Sequence, residues 1–147
     1  MASMRPCLIT VTVDTTELTL PSRIETVAAA AAAVADFVNR SGVSEDDAFG
    51  IDMAVREAVT NAVVHGNGQD KDKVVDITLK SSPEAVEISV HDQGPGFNPN
   101  EVPDCTAEEN ILKTSGRGIF FMRNFMDEVV WLLPPEGGTT VRMLKRR

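Results

Sequence analysis

Glu57-Ala-Val-Thr-Asn61-Ala-Val-Val-His65-Gly66 is the stretch on which the reading of this chain turns. Apolar residues at Ala48, Ile51, Met53, Val55, Val59, Ala62 and Val63 cover much of a helical circumference. A helix with that pattern is packed on more than one side. Ser44-Glu-Asp-Asp47 supplies a capped start, and Gly66-Asn-Gly68 supplies a stop, so the spacing predicts one helix from Ser44 to His65. Glu57 and Asn61 fall one turn apart on it and can present a base and a metal ligand side by side. In a covered place an unpaired carboxylate is costly, so a ligand or ordered water is expected beside them.

Downstream, Val74–Lys80 and Ala85–His91 alternate apolar and polar residues around Ser81-Ser-Pro-Glu84, the pattern of an antiparallel hairpin. Its second strand delivers a second motif, Asp92-Gln-Gly94-Pro-Gly96-Phe97, an acid followed by glycines in a loop that backbone and ligand can approach closely. Residues 98–115 lack periodicity and are rich in Pro and Asn, which predicts a loop used as a ligand lid. A third motif, Gly116-Arg117-Gly118-Ile119, opens an amphipathic segment whose bare helix N-terminus suits phosphate. Ile119, Met122, Phe125 and Met126 mark its apolar face, read as core. The three motifs together read as an ATP site.

Upstream, residues 8–20 alternate Thr with Ile, Val or Leu, as a strand with one buried face does. Ser22-Arg-Ile-Glu25 has the capping-box pattern, and the run Ala28–Ala33 carries a helix to about Asn39, broken by Gly42. That run suits a helix packed closely against its neighbours. Glu128–Leu133 and Thr139–Leu144 form a closing hairpin around Pro134-Pro-Glu-Gly-Gly138. The resulting order is strand, two helices, two strands, lid, helix, two strands. It implies an α/β (α+β) two-layer sandwich, with a mostly antiparallel mixed sheet covered by helices on one face.

The whole chain, 147 residues, is the size of one domain and is read here as one. Its net charge of −8 repels nucleic acid and anionic lipid, so a nucleotide must be held by a local site. Lys145-Arg146-Arg147 is read as a solvated terminus rather than a DNA contact. No apolar run approaches the roughly 20 residues a membrane span needs. Residues 1–7 do not resemble a secretory signal, and Cys7 and Cys105 lack metal-like spacing, so a cytoplasmic protein with reduced thiols is expected.

On these motifs the chain resembles the ATP-binding superfamily shared by DNA gyrase, histidine kinases and mismatch-repair ATPases, whose pocket is the Bergerat fold. Glu57-Ala-Val-Thr-Asn61-Ala and Asn124-Phe-Met-Asp-Glu128 are most similar to the bacterial anti-sigma factor serine/threonine kinases. The resemblance spans about Thr10 to Lys145. It implies that Asn61 coordinates Mg²⁺ at the phosphates and that Glu57 is the base acting on the attacking hydroxyl. It implies that Asp92 accepts the adenine amino group, with Thr140 supporting that contact through water. Gly94 and Gly96 would shape the adenine wall, and Gly116 and Gly118 would offer N–H groups to phosphate. Arg117 either touches a phosphate or faces solvent, and Lys113 and Thr114 in the lid have the same two alternatives. His65 reads as a helix-terminal residue and His91 as structural.

The implied activity is an ATP-dependent serine kinase that phosphorylates a small anti-anti-sigma partner and holds a sigma factor. A non-catalytic ATP-gated binding switch is the alternative, and the catalytic domain of a histidine kinase is a third reading. Retention of Glu57 favours the kinase, because nucleotide binding alone needs no base. A homodimer stays open. Relatives carry a partner-contacting arginine in the first helix, where this chain has alanine near Ala31, and Arg23 lies too early to replace it.

Overall fold

The computed structural model describes residues 14–68, 70, 72–94 and 122–147. Strand β1 (Asp14–Pro21) leads to helices α1 (Thr26–Arg40) and α2 (Glu45–Thr60). A π-helical turn (Asn61–Gly66) extends α2, and strands β2 (Val74–Ser81), β3 (Ala85–His91), β4 (Glu128–Leu132) and β5 (Thr140–Arg146) follow. The strands form one sheet in the order β1-β2-β3-β5-β4, every neighbouring pair antiparallel.

Period-two alternation decides which face is covered. Val75, Ile77 and Leu79 of β2, Val86, Ile88 and Val90 of β3, and Val141 and Met143 of β5 are all buried. They join Phe37, Ile51, Val55 and Val59 from the helices in one core. The opposite face carries Asp76, Thr78, Ser89 and Arg142, none of them buried. The alanine run places Ala30 and Ala31 at the buried side of α1, where α2 packs against it. Ala31, near the position where the resemblance implies an arginine, is buried at 2% exposure.

The start of α2 follows its sequence pattern, since the Ser44 hydroxyl accepts from the Asp47 N–H at 3.2 Å. The capping box expected at Ser22 does not form. The helix begins at Thr26, and Glu25 before it makes no side-chain cap. Ser22 is instead committed to the sheet, its N–H bonded to the Lys73 carbonyl at 3.1 Å. Strand pairing outcompetes the cap, and Thr26 Oγ1 bonds back to the Pro21 carbonyl.

The turn Met122–Phe125 is helical, and Met122 and Met126 are buried as expected. Phe125 meets Phe49 edge to face, with ring centroids 6.0 Å apart. The basic end is more engaged than a solvated tail. Lys145 Nζ donates to the Phe125 carbonyl at 3.0 Å. Arg146 pairs with Glu128, and Arg147 bonds the Ser82 carbonyl and the Ser81 hydroxyl. Among the described residues, no helix is long and apolar enough to cross a membrane.

Candidate functional site

Strand alternation sends His91 to the open face of the sheet and Asp92 to the helix side. Asp92 is buried at 6% exposure. Its N–H donates to the Thr139 carbonyl at 2.9 Å, and its Oδ1 accepts from the Gly94 N–H at 2.9 Å and the Thr139 N–H at 3.3 Å. Burial pushes this carboxyl above the usual aspartate range. The N–H groups of Gly94 and Thr139, with His91 and Lys73 nearby, pull in the other direction.

Three glycines from three parts of the chain make this packing possible. A Cβ on Gly66 would overlap the Asp92 carboxylate, and one on Gly94 would overlap the Gly66 carbonyl. Gly138, at φ +79°, lies where a Cβ would strike the Asp92 carbonyl. In sequence Gly66 closes the first motif as a helix stop and Gly138 marks a hairpin turn, with nothing local to tie either to Asp92.

Beside the carboxylate opens a cleft between the end of α2 and the sheet. Its apolar walls are Ala58 and Ala62 from the helix side, Val90 and Val141 from the sheet, and Trp131 from β4. Its polar lining is Asn61, His65, Gly66, Asp92 and Thr139. The Arg123 guanidinium stacks over Trp131, 5.2 Å from the ring centroid. A narrow apolar cleft ending in an acceptor suits a flat base that carries a donor on its edge.

Asn61 is the first residue of the π-helical turn, a feature found often at functional sites. Glu57 sits one turn back on α2, half-buried, and desolvation raises its pKa. A carboxylate so shifted is a better proton acceptor near neutral pH than an exposed one. The structure therefore brings Asn61 and Asp92 to the cleft, with Gly94 bonded to the Asp92 carboxylate and Glu57 one turn before Asn61. Gly96, Gly116, Arg117, Gly118, Lys113, Thr114 and the lid over 98–115 lie outside the described residues.

Thr140 is not brought to the cleft. Its Oγ1 is 2.8 Å from His91 Nδ1, on the open face of the sheet. Thr139, one residue earlier, has the inward parity of Val141 and Met143 and holds Asp92 through its main chain. That alternation was the signal for it. Asn67 was also missed as more than a stop. It is buried at 3% exposure, its Nδ2 donates to the Val74 carbonyl at 3.0 Å, and its Oδ1 accepts from the Gln93 N–H at 2.7 Å.

A family model described as a histidine kinase-like ATPase domain matches residues 20–145. The anti-sigma F factor of Geobacillus stearothermophilus is 34% identical over 135 residues, covering 87% of this chain and 89% of that one. The anti-sigma F factor of Bacillus subtilis (strain 168) is 35% identical over 115 residues, covering 76% and 78%. The crystal structure of the SiaB-SiaC complex from Pseudomonas aeruginosa contains a chain of the same fold. It matches with a TM-score of 0.67 over 97% of this chain and 95% of that one, at 10% identity. The chain belongs to the histidine kinase-like ATPase domain family, in the group of the anti-sigma F factors.

Proposed function

We propose that this protein binds ATP with Mg²⁺ in the cleft beside Asp92, phosphorylates a serine on a small anti-anti-sigma partner, and acts as an anti-sigma regulator. The buried Asp92 carboxylate carries the reading: its Oδ1 is held by two N–H groups, and its Oδ2 lies against the bare Cα of Gly66. Such an oxygen at the end of an apolar cleft suits the adenine amino group. The anti-sigma F relatives and the ATPase-domain match support the nucleotide and the partner class. A cytoplasmic location and a single domain over residues 1–147 belong to the same proposal.

Mg²⁺ prefers oxygen donors, and the Asn61 carboxamide at the cleft supplies one. Bound Mg²⁺ would neutralise charge on the phosphates. Gly116, Gly118 and Arg117 are assigned to the phosphates, and Gly96 to the adenine side, from their motifs. Support for Asp92 is assigned to Thr139 in place of Thr140. In the transfer step the serine oxygen bonds to the γ-phosphorus, and the bond from that phosphorus to the β–γ bridging oxygen breaks. ADP leaves with that electron pair, and the serine proton passes to Glu57. The helix sets the base, the π-helical turn sets Asn61 and the sheet sets Asp92, so positioning rather than covalent chemistry is the protein's contribution.

Glu57→Gln tests the catalytic part. The variant is expected to bind ATP as the parent does and to lose transfer by about 10²–10⁴-fold. Labelled phosphate transfer to a genomically linked partner, measured beside calorimetric ATP binding, reads both. A parent that binds ATP well but transfers phosphate to no such partner would leave an ATP-gated binding switch.

A further inference from the structure

We infer that Asn67 is a positioning residue for the nucleotide base: closed into a hydrogen-bonded ring with Gln93 and Val74, it fixes the distance between Gly66 and Asp92 and so the preference for adenine over guanine. This rests on the nucleotide reading above.

The ring joins three segments: the end of the π-helical turn, the start of β2 and the residue after Asp92. Asn67 follows the π-helical turn, to which its own N–H is tied through the Ala62 carbonyl at 2.8 Å. Its Nδ2 donates to the Val74 carbonyl at 3.0 Å, and its Oδ1 accepts from the Gln93 N–H at 2.7 Å. The ring closes through Gln93 Oε1, which accepts from the Val74 N–H at 2.8 Å. Both main-chain groups of Val74, at the start of β2, are thus held by side chains.

The two residues adjoining this ring are the two that meet in the cleft. Gly66 precedes Asn67, Asp92 precedes Gln93, and there is no room between them for a Cβ. The carboxamide of Asn67 is buried, so each of its bonds is made away from competing water. A carboxylate held at one place reads the adenine amino group. One free to slide could meet the ring N–H and amino group of guanine instead, so discrimination depends on rigidity. Asn67 itself is absent from the cleft lining, which makes its effect indirect.

The test is calorimetric titration of the full chain with non-hydrolysable ATP and GTP analogues, with melting temperature as the control. Asn67→Leu keeps the volume and removes both side-chain bonds. It is expected to weaken the ATP analogue roughly tenfold and the GTP analogue far less, so that their affinity ratio falls about tenfold. A purely structural asparagine would lower the melting temperature and weaken both analogues alike, leaving the ratio at the parent's value. Gln93→Ala is the second variant, because that side chain is exposed and its loss opens no cavity. It should move the ratio the same way by about threefold.

A folded N67L with the parent's ratio overturns the inference, and if N67L does not fold, a parental ratio in Q93A does so. These readouts are of binding, so a parent that binds ATP without transferring phosphate overturns the kinase alone. A parent that binds neither analogue overturns the nucleotide reading and this inference with it.

Discussion

At the scale of single residues, Asp92 sets function against stability. Burial raises its pKa in the folded state, so its charge is less favourable there than in the unfolded chain. The sign follows directly. Below the unfolded value of about 3.9 the group is protonated in both states and nothing is lost. As pH rises through that value and then the folded one, stability falls, and the deficit is fully present above the folded value. Asp92→Asn removes the charge, while its carboxamide oxygen can still accept from the Gly94 and Thr139 N–H groups. The apo variant should melt higher than the parent at pH 7, with the advantage shrinking as the pH falls into the carboxylate range. Its ATP affinity should drop by at least tenfold, because a charge-assisted bond of about 1.5–3 kcal/mol is lost. Melting curves across pH, run beside ATP titrations, check both. A variant that melts lower at every pH would show that the charge is stabilised by the fold.

At the scale of elements, the π-helical turn brings the helix end under the sheet. The last of its six residues is Gly66, whose bare Cα meets Asp92. Gly66→Ala should therefore destabilise the fold by about 1–3 kcal/mol and weaken ATP by more than tenfold, since the added methyl displaces the carboxylate. Gly68→Ala is the matched control. It sits at φ +61° with nothing within 4 Å of a Cβ, so only backbone strain is expected, about 1 kcal/mol, with ATP affinity unchanged. Urea denaturation and calorimetry on the pair separate the two effects. Equal ATP affinity in both variants would remove Gly66 from the site.

At the scale of the whole molecule, charge and connectivity act together. The chain carries a net charge of −8, yet its last residues are basic and are used as ties. Arg147 Nε bonds the Ser82 carbonyl at 2.8 Å, and a second guanidinium nitrogen bonds the Ser81 hydroxyl at 2.7 Å. These contacts fasten the end of β5 to the turn between β2 and β3. Arg147→Ala should cost about 1 kcal/mol. The exposed Arg146–Glu128 pair should contribute less, and less still at high salt. Double-variant denaturation at low and high salt would show it. Losses of equal size for the two arginines would count against this division.

The sequence by itself determined the strands from Asp14 onward, the long second helix and the start of the motif that opens at Asp92. Those features are written in local periodicity, caps and glycines, which act over a few residues. It misjudged the start of the first helix, because Ser22 is claimed by a strand contact to Lys73 that no local pattern announces. Only the tertiary structure decided that Thr139 rather than Thr140 holds Asp92, a bond spanning 47 positions along the chain. It also decided that Gly66, Gly94 and Gly138 converge on one carboxylate, and that Asn67 closes on Gln93 across 26 positions. The physical reason is the same in each case. A local pattern fixes which face a side chain takes, while the partner on that face is chosen by packing between segments distant in sequence.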